Sequence, residues 1–312
     1  MENKKIVIPG GAGLVGQNLV AQFKKSGYRN LVVIDKHKAN LAILRKLHSD
    51  IVIEQADLAE PGQWEAHFKD ADTVIMLQAQ IGAPTLNPFV RNNIETTKRI
   101  LELIKQYNVP YTVHISSSVV ESIADDYYTQ TKKQQEDLVL ASGISCIILR
   151  PTLMFGWFDR KHLGWLSRLM RRIPIFPIPG NGRFMRQPLY ANDFCRIIVS
   201  CVQSKMRDKV FNITGLEKID YIDMIRTIKK EVNAKTIILS IPYHLFYILL
   251  KVWALFDKNP PFTAQQLKAL VAHDEFEVID WPHIFNVEST PFQQAIHETF
   301  NDPIYSKIVM EF

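Results

Sequence analysis

A tyrosine and a lysine stand four residues apart in the stretch YYTQTKKQQEDL, as Tyr128 and Lys132. This stretch opens a predicted helix over residues 128–142, and residues four apart in a helix lie on one face, about a turn from each other. An ammonium group beside a phenol stabilises the phenolate, so we expect Lys132 to lower the pKa of Tyr128 from about 10 toward neutral pH. The pair can then act as general acid or base on a substrate hydroxyl or carbonyl.

Three serines precede this helix, in the stretch VHISSSVVES. An apolar run over residues 111–116 predicts a buried strand, and the serines close its C-terminal end. A serine at that position can hydrogen-bond the substrate oxygen on which the tyrosine acts. Because Tyr-x-x-x-Lys pairs also occur by chance on exposed helix faces, the order of several motifs along the chain carries more weight than this pair.

A glycine-rich turn near the N-terminus, in IVIPGGAGLVGQNLVAQF, has the pattern of a phosphate-binding loop. It follows a strand-like run at 5–9 and precedes a helical pattern at 14–26. Gly10 would permit the tight turn, Gly13 the close approach of the backbone to a pyrophosphate, and Gly16 close contact between helix and strand. Backbone N–H groups at the start of such a helix stabilise anions.

Two aspartates follow the next strand-like runs, where they could contact the adenosine part of a dinucleotide. Asp35 ends LVVID, nineteen residues after the last glycine of the turn, and a carboxylate there can accept from both ribose hydroxyls. Its charge repels a 2′-phosphate, so we expect NAD, with NADP as the alternative because Lys36 and Lys38 soften the repulsion. Asp57 could hold the adenine amino group, or it could cap a helix entered at Pro61.

Strand-like and helical runs alternate up to about residue 150, which predicts an α/β fold with a Rossmann-type doubly wound parallel sheet. The predicted strands cover residues 5–9, 31–34, 51–53, 73–77, 111–116 and 144–149. The predicted helices between them cover residues 14–26, 38–48, 63–69, 88–107 and 128–142. The ligand crevice of such a sheet lies beyond the C-terminal ends of its strands.

The pattern changes after residue 150, where prolines and glycines over 173–188 predict irregular chain above the crevice. A strand is predicted at 209–213, and helices are predicted around 191–203, 218–232, 242–256, 263–272 and 290–299. We therefore expect residues 1–172 to form a dinucleotide-binding Rossmann domain to which 186–215 return. Residues 173–185 and 216–312 would form a smaller, mainly helical substrate-binding lobe.

Composition limits the remaining possibilities for this chain of 312 residues, 47% hydrophobic content and net charge +5. Basic residues are spread along it, and the densest group, around Arg168, is too short to indicate nucleic-acid binding. Cys146, Cys195 and Cys201 lie in apolar segments without metal-ligand spacing, so we expect buried thiols of a reducing compartment and no metal site. The first strand begins too early for a signal peptide to precede it, which predicts a cytoplasmic protein.

One apolar stretch, LFYILLKVWALF, is long enough to compare with a membrane segment. Its twelve residues are too few to span a bilayer, and Lys251 interrupts them. We expect a buried amphipathic helix here, and contact with a membrane surface is the alternative.

Together the motifs resemble the extended and atypical short-chain dehydrogenase/reductases of the NAD-dependent epimerase/dehydratase family. The matching segments, between residue 6 and about residue 215, are GGAGLVG, Asp35, ADL, VIMLQAQ, Asn93, SSSVV, YYTQTKKQQE, LRPTLMFG and RQPLYANDF. The resemblance implies that Lys132 also holds the nicotinamide ribose and that Ser117 is the hydroxyl partner of Tyr128.

The resemblance also implies the rest of a cofactor and substrate site. The complete expected cofactor set is Gly10, Gly13, Leu14, Val15, Gly16, Asp35, Asp57, Leu58, Leu77, Gln78, Ala79, Asn93, Tyr128 and Lys132. Ser117, Ser118 and Arg186 would bind substrate, with Arg186 reaching a substrate pyrophosphate. The alternatives are that Asn93 is a plain helix residue and that Arg186 is an exposed loop arginine.

Departures from the family pattern bear on the reaction. Ser118 and Val119 stand where sugar 4,6-dehydratases carry an acidic pair, which argues against dehydration. Leu153 stands where nucleotide-sugar enzymes often have asparagine, and Met76 replaces the usual histidine of the fourth strand. The short segment between Ser117 and the tyrosine resembles atypical members such as the reductase-like accessory subunit of respiratory complex I.

We therefore expect an NAD(P)-dependent nucleotide-sugar 4-epimerase or 4-ketoreductase. One alternative is an oxidoreductase acting on a lipid-linked sugar or hydroxylated lipid, and another is a non-catalytic dinucleotide-binding subunit. The resemblance implies a homodimer that forms through the helices near 88–107 and 128–142.

Overall fold

The structure, a computed structural model, describes residues 3–257, 262–271 and 277–310. The strands are β1 (Ile6–Pro9), β2 (Leu31–Asp35), β3 (Val52–Gln55), β4 (Thr73–Met76), β5 (Thr112–Ile115), β6 (Cys146–Pro151), β7 (Met154–Phe155), β8 (Ile175–Pro179), β9 (Met185–Arg186), β10 (Leu189–Tyr190), β11 (Lys209–Ile213), β12 (Ile219–Asp220) and β13 (Ile237–Ile241). The helices are α1 (Leu14–Lys25), α2 (Lys38–Leu47), α3 (Asn87–Phe89), α4 (Thr96–Gln106), α5 (Tyr127–Ala141), α6 (Leu163–Arg172), α7 (Ala191–Ser204), α8 (Tyr221–Glu231), α9 (Tyr243–Phe256), α10 (Ala264–Val271), α11 (Trp281–Phe285) and α12 (Phe292–Asn301).

Within the part of the chain that the structure describes, seven parallel strands form one sheet in the order β11-β6-β5-β4-β1-β2-β3. The chain first adds strands on one side of β1 and then on the other, so the order reverses between β1 and β4. A crevice opens at such a switch point beyond the carboxyl ends of the strands. This topology confirms the predicted Rossmann-type α/β fold.

The sheet strands are apolar because helices cover both faces of the sheet. Side chains alternate along β1, so that Ile6 lies in one buried cluster and Val7 in another on the opposite face. Cys146, Cys195 and Cys201 are buried free thiols, as predicted.

A separate buried cluster lies outside the sheet and joins α6, β8, α8 and α12. Leu163 and Met170 of α6 belong to this cluster, although residues up to 172 were expected in the Rossmann domain. Trp281 and Phe285 of α11 pack instead in the core of the sheet, although 216–312 were expected in the lobe. The expected boundaries therefore differ from the packing, because the apolar side of α6 faces α8 and that of α11 faces α7.

The segment 173–188 is more regular than predicted, since it contains β8 and β9. β8 pairs in parallel with β13, and β9 pairs in antiparallel with β12. Prolines are tolerated in β8 because a two-stranded pair uses only one edge of the strand.

The predicted helix at 63–69 is a 3₁₀ helix (Gln63–Phe68), and a π-helical turn (Val90–Glu95) interrupts the helix predicted at 88–107.

α9 lies where an amphipathic helix was predicted, but it is not buried. Of its large apolar side chains only Phe246 and Leu250 are buried, so the prediction of a buried helix is wrong.

The helix expected at 263–272 is α10, and residue 272 lies outside the described residues. Across the described ranges the structure holds no helix with the length and apolar character needed to cross a membrane.

Candidate active site

The glycine turn joins β1 to α1 and leaves bare backbone at the carboxyl edge of the sheet. Gly10 has a φ of +77°, and a Cβ there would lie 2.4 Å from the backbone nitrogen of Gln78. A Cβ on Gly16 would lie 2.2 Å from the carbonyl oxygen of Gly11, so any side chain at either position would collide with backbone. A Cβ on Gly13 would meet within 4 Å only the carbonyl oxygen of Gly10, at 4.0 Å. Gly13 therefore borders open space.

The start of α1 has the properties of an anion site. Gly13 is the N-cap residue and carries no side chain that could accept from the first turn. The N–H groups of that turn, which includes Leu14 and Val15, have no acceptor within the helix. Amide donors beside open space suit a pyrophosphate, so these residues fit a dinucleotide. Their direct contacts with the cofactor stay predictions.

Asp35 ends β2 beside this turn, and two backbone amides hold its carboxylate. Its Oδ2 accepts from the N–H of Ala12 at 3.0 Å, and its Oδ1 accepts from the N–H of His37 at 3.0 Å. Each oxygen keeps a further lone pair for a ribose hydroxyl. Lys36, which was expected to soften the preference for NAD, donates to Oδ1 of Asn92 at 2.6 Å.

Asp57 lies after β3 and is held by an amide and two cations. Its Oδ1 accepts from the N–H of Ala59 at 3.1 Å, and its Oδ2 lies 3.2 Å from Nη2 of Arg91 and 3.8 Å from Nζ of Lys36. Burial by itself would raise the pKa of Asp57, but these partners bring it below its ordinary value. Asp57 does not cap the following 3₁₀ helix, so the capping alternative is wrong. Its contact with adenine, and that of the buried Leu58, stay predictions.

Leu77, Gln78 and Ala79 follow β4, and the backbone of Leu77 and Gln78 lies against the start of the glycine turn. The side chain of Gln78 is buried and donates to Oγ1 of Thr97 at 3.2 Å. Its Oε1 has no hydrogen-bond partner among the residues that the structure describes. The backbone of Gln78 leaves no room for a Cβ on Gly10, so this loop packs on the glycine turn, and its contact with the cofactor stays a prediction.

Asn93 lies fully buried in the π-helical turn and ties the loop after β4 to α5. Its Oδ1 accepts from the N–H of Gln80 at 2.6 Å, and its Nδ2 donates to the Gln80 carbonyl at 3.3 Å and to Oγ1 of Thr131 at 3.0 Å. These bonds fix the loop that carries Gln78 against the helix that carries Tyr128. Asn93 therefore joins the loop after β4 to α5, and its contact with the cofactor stays a prediction.

Tyr128 and Ser117 meet beyond the end of β5. α5 begins here because Asp126 caps it, accepting from the N–H of Thr129 at 3.0 Å. Ser117 Oγ accepts from the N–H of Val119 at 3.4 Å, and the Ser117 hydroxyl lies near enough to Tyr128 to lower the pKa of its phenol. Two neighbouring hydroxyls are placed to act on one substrate oxygen.

Lys132 is fully buried one turn further along α5. Its Nζ donates to the carbonyl of Ile115 at 3.1 Å and to Oε1 of Gln135 at 2.5 Å. Burial lowers the pKa of Lys132 from 10.5 to about 7, against the opposing charge of Glu136. The side chain thus changes its charge near neutral pH.

The predicted effect of Lys132 on Tyr128 differs from what the structure shows. Burial raises the pKa of Tyr128, and the neighbouring Ser117 hydroxyl lowers it by a smaller amount. The prediction of a lowered pKa is therefore wrong for this arrangement. The reason is that Lys132 directs its ammonium to Ile115 and Gln135, while burial penalises the charged phenolate.

A charged network behind Lys132 was missed by the sequence analysis. Glu136 is buried, and both of its carboxylate oxygens accept from Nε of Arg150 at 3.1 Å. Arg150 also donates to Oε1 of Glu121 at 2.8 Å, and Nδ2 of Asn212 donates to that oxygen at 2.9 Å. The spacing of Lys132 and Glu136, four residues apart on a predicted helix, could have indicated that the two charges are neighbours.

The predicted substrate-binding residues lie in different elements. Ser118 is buried in the short 3₁₀ helix that follows Ser117. Arg186 lies in β9 rather than in an exposed loop, and its charge opposes the rise that burial gives to the pKa of Tyr221. The side chain of Leu153 is 50% exposed. The substrate contacts of Ser117, Ser118 and Arg186 stay predictions.

Residues 6–214 match the family described as "NAD dependent epimerase/dehydratase family". The chain belongs to this family. The matched span contains the glycine turn, Asp35, Ser117, Tyr128 and Lys132. Membership confirms the resemblance drawn from the motifs, and the NAD dependence of the family agrees with the predicted cofactor. It also supports an enzyme of the oxidoreductase type.

Three similar proteins differ in what their names say of their substrates. "Ceramide reductase" of Caulobacter vibrioides (strain NA1000 / CB15N) is 27% identical over 173 residues, which are 55% of this chain and 53% of that protein. The chain thus matches about half the length of that relative. A UDP-glucuronic acid 4-epimerase from Bacillus cereus, solved with NAD, is 25% identical with a TM-score of 0.67, covering 77% of this chain and 86% of that one.

A third similarity concerns the fold. A UDP-glucose 4-epimerase from Thermotoga maritima, solved with UDP-glucose, superposes with a TM-score of 0.75 at 16% identity. The superposition covers 95% of this chain and 97% of that one. The arrangement of the C-terminal elements, which the family match at 6–214 does not reach, is therefore shared as well.

Proposed function

We propose that the protein is an NAD-dependent nucleotide-sugar 4-epimerase or 4-ketoreductase. The observation that carries this proposal is that the hydroxyls of Ser117 and Tyr128 are neighbours beyond the end of β5, with the buried Lys132 one helical turn from Tyr128. Family membership and the similarity to UDP-glucuronic acid 4-epimerase support the reaction class. The backbone-held carboxylate of Asp35 supports NAD as the cofactor.

The roles of the residues follow from their positions. NAD, when bound, supplies the hydride acceptor, and the amides at Gly13 with the carboxylate of Asp35 would hold it. Tyr128 takes the proton from the sugar 4-hydroxyl, while Ser117 hydrogen-bonds the same oxygen. Lys132 would hold the nicotinamide ribose.

The fate of the ketone separates the two reactions. In an epimerase the ketone turns over in the site, the reduced cofactor would return the hydride to the opposite face of C4, and Tyr128 returns the proton to the 4-oxygen. In a ketoreductase the reaction starts from the ketone, a reduced dinucleotide would supply the hydride to C4, and Tyr128 donates the proton to the oxygen. Dehydration is disfavoured because Ser118 and Val119 occupy the place of the acidic pair and carry no carboxylate.

A lipid-linked sugar or hydroxylated lipid is the second candidate substrate. Leu153 presents a half-exposed apolar side chain where nucleotide-sugar enzymes often have asparagine, and the exposed apolar helix α9 lies in the C-terminal part of the chain. The similarity to the protein named ceramide reductase also supports a lipid substrate. The catalytic roles proposed for Ser117, Tyr128 and Lys132 are the same for either substrate.

The test is turnover by the full chain and by two tyrosine variants. UDP-, GDP-, CDP- and dTDP-sugars are assayed beside ceramide, and the dinucleotide that co-purifies is identified. We expect Tyr128→Phe to lower turnover by about 10²- to 10⁴-fold, because the proton-transfer group is lost. Tyr127→Phe removes a neighbouring exposed phenol, whose ring contacts Phe89, and should keep full turnover.

The outcomes distinguish the candidates. Turnover of a nucleotide sugar without added cofactor supports the epimerase, and a stoichiometric need for reduced dinucleotide supports the ketoreductase. Turnover of ceramide alone would replace the sugar by the lipid. Equal turnover by Tyr128→Phe and the unmodified protein would overturn the catalytic role, and bound dinucleotide without turnover would indicate a non-catalytic subunit.

A further inference from the structure

Gln135 lies on the same side of α5 as Tyr128 and Lys132. It follows Lys132 by three residues and Tyr128 by seven, and these spacings place all three side chains on one helix face. The Gln135 side chain is fully buried. A buried amide needs partners for both its oxygen and its nitrogen, because an unpaired polar atom in the core costs free energy. The partners of these two atoms therefore define what Gln135 does.

The two ends of the Gln135 amide meet partners of opposite kinds. Its Oε1 accepts from Nζ of Lys132 at 2.5 Å. Its Nε2 donates to Oγ1 of Thr97 at 2.8 Å and to the carbonyl of Gln78 at 3.4 Å. An ammonium group only donates and a carbonyl only accepts, so the amide fits in this orientation and not in the reverse one. Glutamine is the side chain of this length that carries an acceptor and a donor side by side.

Thr97 extends the connection to a second glutamine. It is fully buried on α4, and its Oγ1 also accepts from Nε2 of Gln78 at 3.2 Å. The backbone of Gln78 in turn leaves no room for a Cβ on Gly10. Buried hydrogen bonds therefore run from the ammonium group of Lys132 to the loop after β4, which packs on the glycine turn.

Two acceptors fix the position of the Lys132 ammonium group. Besides Gln135, the carbonyl of Ile115 accepts from Nζ at 3.1 Å. An ammonium group has three N–H groups, so two partners at fixed positions set the direction of the third. The proposed function gives Lys132 the role of holding the nicotinamide ribose. A side chain that fixes Nζ therefore affects this role without contacting the cofactor.

We propose that Gln135 is a positioning residue, which holds the ammonium group of Lys132 and links it through Thr97 to the loop that carries Gln78. Its effect on turnover rests on the proposed function, because a fixed lysine matters for the reaction only if Lys132 takes part in it. A hydrogen bond from the ammonium group also stabilises the charged form of Lys132. Gln135 thereby opposes burial, which favours the neutral amine.

The charged and titratable groups in this part of the core come from three elements. They are Tyr128 and Glu136 of α5, His114 of β5 and Arg150 of β6. The charge of Glu136 raises the pKa of Lys132, and the charge of Lys132 adds to the burial that lowers the pKa of His114. Gln135 is uncharged and acts on Lys132 through its hydrogen bond. An acidic substitution at position 135 should therefore shift the pKa of Lys132 in the opposite direction from an apolar one.

The test is a pair of substitutions with opposite expected effects on the pKa of Lys132. Gln135→Met keeps the length of the side chain but removes the acceptor, so it should lower this pKa by about one unit or more. Gln135→Glu places a carboxylate beside the ammonium group and should raise the pKa by about one unit or more. Lysine-selective NMR titration measures both shifts, and the Lys132 signal is assigned by its absence in Lys132→Met.

Matched substitutions at Gln134 serve as controls, because this neighbour on α5 is exposed. Gln134→Met and Gln134→Glu should leave the pKa of Lys132 unchanged. Thr97→Val removes the oxygen to which Gln135 and Gln78 both donate. It should speed hydrogen exchange of the backbone amides of residues 77–80 by about fivefold or more, as should Gln135→Met. Thermal unfolding verifies that each variant folds.

The outcomes separate the role of Gln135 from the proposed function, because neither measurement requires a substrate. A pKa of Lys132 that is unchanged in both Gln135 variants, or shifted in the same direction, would overturn the positioning role. Opposite shifts in a protein that turns over none of the sugars or ceramide would support this role and contradict the proposed function. If Gln135→Met does not fold, a rise of the pKa in Gln135→Glu but not in Gln134→Glu supports the proposal, and no difference between them overturns it.

Discussion

Lys132 shows how far burial changes the chemistry of a single side chain. The ammonium donates to a carbonyl at the end of β5 and to Gln135, while burial favours the neutral form and brings its pKa to about 7. Glu136 partly compensates, and its own charge is matched by Arg150. Lys132, which the sequence analysis paired with Tyr128, therefore also belongs to a buried network of charged side chains.

The lowered pKa of Lys132 makes a prediction for stability. An unfolded lysine titrates at 10.5 and this one at about 7 in the folded state, so between these values the unfolded chain binds a proton that the folded chain releases. The contribution of Lys132 to the free energy of unfolding therefore rises with pH across this window, by up to about 1.4 kcal/mol per pH unit. Relative to Lys132→Met, the unmodified protein should gain stability between about pH 7 and about pH 9.

Urea unfolding of both proteins at the two pH values measures this difference. Groups that titrate in both proteins cancel, so the change in the gap reports on Lys132. Lys105→Met removes an exposed lysine and serves as the control for loss of a charge. A gap between the unmodified protein and Lys132→Met that stays constant with pH would contradict the prediction.

In the glycine turn between β1 and α1, Gly16 and Gly13 are glycine for different physical reasons. Gly16 allows the helix to approach the backbone of Gly11, since a Cβ would lie 2.2 Å from its carbonyl oxygen. Gly13 has an extended backbone, with φ −77° and ψ −178°, that any residue can adopt. Its surroundings are open, so folding does not require glycine there.

Alanine at these two positions should separate folding from binding. Gly16→Ala should cost about 1–3 kcal/mol of stability, because helix and turn must move apart. Gly13→Ala should change stability by about 1 kcal/mol or less but weaken NAD binding by about tenfold or more, since its methyl group enters the space proposed for the pyrophosphate. Urea unfolding and calorimetric titration with NAD measure the two effects. Unchanged NAD affinity in Gly13→Ala would place the pyrophosphate elsewhere.

At the scale of the whole molecule, the chain returns to its first core near its C-terminus. Trp281, Phe285 and Val287 lie in the same buried cluster as Ile6 of β1. The indole Nε1 of Trp281 donates to the carbonyl of Thr214 at 2.9 Å, where the described chain leaves the sheet after β11. The Rossmann core is therefore completed by residues far beyond the matched span of 6–214.

Two tryptophans test this return. Trp281→Ala should lower the free energy of unfolding by about 3–5 kcal/mol, because it empties a core position and removes the bond to Thr214. Trp253→Ala, at a side chain that is 53% exposed, should change it by about 0.5 kcal/mol or less. Urea unfolding of both variants makes the comparison. Equal losses of stability would show that Trp281 is not part of the core.

The sequence by itself determined the fold class and the order of the site motifs. Buried strands and covering helices leave periodic patterns that do not depend on distant contacts. The glycine turn, Asp35 and the Tyr128–Lys132 pair are likewise set by spacing within one or two adjacent elements. The homodimer, the cytoplasmic location and the individual cofactor contacts stay predictions.

Only the tertiary structure decided how these groups are surrounded. The direction of the pKa shift at Tyr128 depends on burial, and the partners of Lys132 include a carbonyl of another strand. The exposure of α9 could not be predicted either, since an apolar helix has the same pattern whether a core or solvent faces it. Burial and long-range contacts bring together residues distant in the chain, and local sequence patterns carry no record of those distances.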